Sequence, residues 1–76
     1  MINKEKYWTE LNRVLAETYP SGNYTKNQLI GNDSTIRNKM DTYVMSTYGE
    51  YYKNELVQLI KIKNSIYVEC VEQLDI

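Results

Sequence analysis

The sequence predicts an α+β domain in which two to three N-terminal helices precede a C-terminal antiparallel β-hairpin. Three observations carry that reading. Apolar residues recur at helical spacing over residues 3–19 and again from Asp33 to about Tyr48. Pro20-Ser21-Gly22 and Gly31-Asn32 interrupt the helical pattern. Residues 55–73 are rich in β-branched side chains that alternate on either side of Lys63-Asn64-Ser65. With 76 residues the chain is read as a single small domain, 1–76. A core of that size rarely supplies more than about 3–5 kcal/mol, so self-association or a partner is a natural supplement.

The first helix is expected from Asn3, a suitable N-cap, with Tyr7, Trp8, Leu11, Val14, Leu15 and Tyr19 on one side and Thr9, Glu10, Arg13 and Glu17 opposite. Proline cannot continue a helix, so Pro20 ends it. Thr25-Lys26-Asn27-Gln28 has the form of a capping box and should open a short helix holding Leu29 and Ile30. Asp33 can cap the next helix, whose stripe is Ile36, Met40, Tyr43 and Val44 and whose natural stop is Gly49. A polar, tyrosine-bearing connection follows over residues 50–54.

For the hairpin, a loop of Lys63-Asn64-Ser65 sets Ile62 against Ile66, Ile60 against Val68 and Gln58 against Cys70. That register gathers Ile60, Ile62, Ile66, Val68 and Cys70 on one face. A two-residue loop would put Lys61 among them, because a slip of one residue exchanges the faces. The expected core is Trp8, Leu11, Leu15, Leu29, Ile30, Ile36, Met40, Val44, Ile60, Ile62, Ile66, Val68 and Cys70. The other hairpin face keeps Val57, Leu59, Tyr67 and Val71, which a partner or a second copy would cover.

Composition narrows the function. Nine basic and ten acidic side chains nearly cancel, which indicates neither a strongly basic nucleic-acid binder nor an acidic DNA mimic. Histidine is absent, which removes the commonest general base and every Ser-His-Asp or Cys-His arrangement. There is no CxxC and no glycine-rich phosphate loop. Cys70, the only cysteine, reads as a small buried hydrophobe. No catalytic residue, metal ligand or cofactor is therefore expected. The N-terminal residues are charged with no apolar run behind them, and no stretch is long enough to span a membrane, so a reduced cytoplasmic setting is expected.

Phenylalanine is also absent, while tyrosine occurs eight times. Asparagine stands at positions 3, 12, 23, 27, 32, 38, 54 and 64. Together with Lys and Ile this suggests an A+T-rich coding sequence, as in a bacteriophage or mobile-element accessory gene. Tyr48, Tyr51 and Tyr52 place three rings within five residues, and tyrosine is a frequent anchor of protein interfaces. Met45, Tyr48, Tyr51, Tyr52 and Tyr67 are thus the expected protein-binding residues. The function they suit is regulation or inhibition of a host protein. A homodimer joined through the hairpins is compatible with it.

The order helix, short helix, longer helix, hairpin resembles that of winged helix-turn-helix domains, over Thr25–Glu72 and without a diagnostic motif. That resemblance implies an alternative, a DNA-binding regulator. The helix from Asp33 would enter the major groove with Ser34, Arg37 and Asn38 as reading residues. Lys61 and Lys63, at the hairpin tip, would contact phosphates.

Overall fold

Helix α1 (Lys4–Thr18) begins as its sequence dictates. The Asn3 side chain accepts from the Lys6 backbone N–H at 3.0 Å. Ile2 and Tyr7 fill the two positions of a hydrophobic staple across that cap, and both are buried. A computed structural model describes residues 2–76. The inner face of α1 is Tyr7, Leu11, Val14 and Leu15. After Pro20 the chain turns through Gly22, whose φ of +80° lies in the left-handed region that glycine enters freely.

The capping box at Thr25 is complete. Gln28 N–H donates to Thr25 Oγ1 at 3.1 Å, and Thr25 N–H donates to Gln28 Oε1 at 2.8 Å. It opens α2 (Lys26–Gly31), which buries Leu29. Helix α3 (Asp33–Tyr48) follows after the single residue Asn32. Asn32 does not cap α3 with its side chain. Its Nδ2 donates instead to the Gln28 carbonyl and to Tyr19 Oη, each at 3.1 Å, and so ties α2 to the end of α1. Helix α3 buries Ile36, Met40, Val44 and Tyr48. It ends at Gly49, whose N–H bonds the Met45 carbonyl, and turns over residues 49–54 lead on.

Residues Leu56–Glu72 form one continuous helix, α4, and no strand occurs among the described residues. The expected α+β class is therefore corrected to an all-helical domain of four helices, and the hairpin, its register and the wing do not exist. The physical reason lies in the spacing of the apolar residues. Leu59, Ile62, Ile66 and Cys70 are separated by three, four and four residues, which stacks them on one side of a helix. No glycine or proline interrupts residues 50–76, and a helix satisfies its backbone internally where a hairpin would leave two open edges.

The same change of period explains the core. Leu11, Leu15, Leu29, Ile36, Met40, Val44, Ile66 and Cys70 are buried as expected. Trp8 and Ile62 only pack against the core edge. Ile30, Ile60 and Val68, expected inside, are exposed. Leu59, Tyr67, Val14, Tyr48, Tyr7 and Ile2 complete the core.

Helices α1 and α3 run antiparallel. Asn3 N–H donates to Tyr48 Oη at 3.1 Å at one end, and Tyr7 meets Tyr43 edge-on at 6.4 Å. Helix α4 lies across both. Lys63 pairs with Asp41 at 3.0 Å and Tyr67 bonds Asp33, so α4 runs antiparallel to α3. Lys4 pairs with Glu69 at 3.2 Å on the α1 side.

Candidate functional site

The α3–α4 contact is polar along much of its length. Asp33, Arg37 and Asp41 succeed one another every four residues on α3 and face Tyr67 and Lys63. The Tyr67 phenol donates to Asp33 Oδ1 at 2.7 Å, and the Arg37 guanidinium lies 4.4 Å from the centre of the same ring. Burial, reinforced by the neighbouring Asp33 carboxylate, pushes the Tyr67 phenol well above its ordinary value. Arg37 Nε is buried and stands 3.7 Å from Asp33 Oδ2.

Of the residues expected to read and hold DNA, Ser34 and Asn38 are exposed on α3, and Arg37 is half-buried against Tyr67. Lys61 sits on the outer side of α4 and Lys63 is drawn into its ion pair with a side chain only 12% exposed. With no hairpin tip to carry them, the two lysines do not form a phosphate-binding wing, and the winged-helix reading falls with it.

The residues expected to bind protein divide. Tyr48 and Tyr67 are buried and use their hydroxyls inside the domain, on Asn3 and Asp33. Tyr52 is half-buried against the core. Met45 and Tyr51 remain outside, at 44% and 85% exposure. Leu56, Val57 and Ile60 are exposed in the first turns of α4. Val68 continues this apolar side of α4 toward its C-terminal end. The structure thus reveals a surface that the strand reading hid. At about 100° per residue, Ile60, Val71, Asn64, Val57 and Val68 fan across one shoulder of α4, between its buried side and a polar side of Gln58, Lys61, Ser65 and Glu72. Counting that window at helical period, instead of two, would have exposed it.

No group of three or more acidic or cysteine side chains capable of holding a metal occurs among the described residues. Cys70 is buried, and burial with the adjacent Glu69 pushes its thiol up, away from the reactive thiolate. An open groove of about 730 Å³ lies between the start of α1 and the middle of α4, lined by Ile2, Lys4, Ile62, Ser65 and Glu69 among others. The Lys4–Glu69 pair lies on its wall. No described helix is long and apolar enough to cross a membrane.

No protein-family model, no curated protein and no solved structure matches this chain.

Proposed function

We propose that this chain is a small non-enzymatic binding protein that docks on another protein at the corner between α3 and α4, through Met45, Tyr51 and Leu56. One observation supports this above the others. Tyr51 stands 85% exposed on a turn whose next residue, Tyr52, is anchored against the core. A rigid aromatic ring held clear of its own domain is the form of an interface anchor. Met45 and Leu56, each nearly half exposed, flank that turn on the helices either side of it and offer adaptable apolar contact. The near balance of charge fits a protein target better than a polyanion. The Asn-, Lys-, Ile- and Tyr-rich composition supports a phage or mobile-element accessory protein, and with it a host protein in the cytoplasm as the target to be regulated or inhibited.

The test is affinity capture from a bacterial lysate, wild type against Met45→Ala/Tyr51→Ala, with circular dichroism as the control for folding. A specific host protein should be retained by the wild type. The double variant should bind it at least tenfold more weakly while keeping its helical spectrum, since one hot-spot side chain contributes about 1–2 kcal/mol or more. Equal capture by the two proteins would sink the assignment.

A further inference from the structure

The four helices are not equally secured. Helix α1 starts on the Asn3 cap, and Arg13 pairs with Glu10 and Glu17 along its outer side. Helix α2 opens on its capping box. Helix α4 has neither support among the described residues. The Glu55 side chain makes no cap bond, and the ion pairs of α4 run to Lys4 and Asp41 on other helices. No basic residue stands in its last turn, where Glu69 and Glu72 meet the negative end of the helix dipole. Val57, Ile60, Ile62, Ile66, Val68 and Val71, with Asn64 and Ser65 at the centre, all fall below Ala and Leu in helix propensity. The helical form of this segment therefore comes from docking.

Helix α3 also lacks a side-chain cap, but α1 supports it. These two are the most closely packed pair of helices, tied at one end by Asn3 to Tyr48. Leu11 and Val14 of α1 and Ile36, Met40 and Val44 of α3 are fully buried. Helix α4 adds Leu59, Ile66, Tyr67 and Cys70 to that core and leaves Leu56, Val57, Ile60 and Val68 outside. Its polar anchors are Tyr67 to Asp33, Lys63 to Asp41 and Glu69 to Lys4.

We infer that α4 is a displaceable helix, which opens and loses its helical form as one unit while α1, α2 and α3 stay folded. Docking and helix formation are a single event for this segment. Leu56 rides on α4 and Met45 on α3, so opening takes apart the corner at which the target docks and gates that surface. The gating rests on the docking proposal. The opening does not, and it is measured on the free chain.

The test is native-state hydrogen exchange of the full chain, read amide by amide over a series of low urea concentrations. The α4 amides should be at least tenfold less protected than those of the inner faces of α1 and α3. They should also share a shallower urea dependence, because opening α4 exposes less surface than global unfolding. Gly22→Ala strains a turn that the open form keeps, so it should lower protection in α1 and α3 by about fivefold and leave α4 unchanged. Tyr67→Phe weakens the closed form against both the open and the unfolded forms, so it should lower protection in all three helices by the same factor. Two outcomes overturn the inference: α4 amides with the protection and urea dependence of α1 and α3, or Gly22→Ala lowering α4 protection as much as theirs. Either result would leave the Tyr51 docking reading standing, since no target is present in the measurement.

Discussion

The phenol of Tyr67 on α4 donates to Asp33 at the first turn of α3, at 2.7 Å, and so joins residues 34 positions apart. Asp33 also stands 3.7 Å from Arg37, which covers the Tyr67 ring. This hydrogen bond, with the Lys63–Asp41 pair, sets the register of α4 on α3.

Tyr67→Phe keeps the ring and removes the hydroxyl. Asp33 is part-exposed and can rehydrate, so the loss should be about 1 kcal/mol. In a domain of this size that lowers the thermal midpoint by roughly 4–8 °C. Tyr51→Phe should leave the midpoint unchanged, since that hydroxyl is in solvent. Thermal unfolding by circular dichroism separates the two, and equal midpoints for Tyr67→Phe and wild type would contradict the assigned role.

Stability should fall in alkali. Burial raises the phenols of Tyr7 and Tyr67 above the value of about 10 that they hold in an unfolded chain. Above that pH the unfolded state loses these protons while the folded state keeps them. The native form then binds more protons, so the unfolding free energy decreases as pH rises toward the folded-state values; below it both states are neutral and the contribution is constant. Urea midpoints across an alkaline series should drop, and tyrosinate absorbance from the two buried rings should appear together with loss of helix. Tyr67→Phe should flatten the dependence. Full tyrosinate formation with the helical spectrum intact would refute this account.

Alanine should have opposite effects at two glycines. Gly22 has φ +80°, so Gly22→Ala strains the backbone although no neighbour crowds it, and about 1 kcal/mol should be lost. Gly31 ends α2 without a positive φ and has open space around it. Gly31→Ala should gain about 0.4–1 kcal/mol by restricting the unfolded chain. Denaturant unfolding of both variants checks the pair, and the same sign for both would count against the argument.

Local chemistry was readable at most helix ends, though Asp33, expected to cap α3, is instead its first helical residue and makes no cap bond. Asn3, Thr25 with Gln28, Pro20 and Gly49 mark helix ends in the sequence, and the structure places those ends there. The final segment was not readable by the same means. Val57, Ile60, Ile62, Ile66, Val68 and Val71 favour a strand locally, and Lys63-Asn64-Ser65 passes for a loop. Tertiary packing overrides that preference, because only a helix brings Leu59, Ile66, Tyr67 and Cys70 together against α1 and α3. The error carried into the site. Ile60 and Val68 moved from core to surface, and Tyr67 moved the other way. Tyr48 was hidden for a different reason. In a chain without phenylalanine, a tyrosine at the inner face of α3 does core work, and its hydroxyl is satisfied by the distant Asn3.

The order in which the helices meet has a kinetic side. Helix α3 contacts the helix before it and the helix after it, and α1 reaches it across only the short α2 segment. Most of the chain search is therefore local, and the loops to be closed are short. Refolding from denaturant should finish in microseconds to milliseconds, as in other helical bundles of low contact order. The Lys4–Glu69 contact joins residues 65 positions apart and should form late, since it closes a longer loop than the other side-chain contacts.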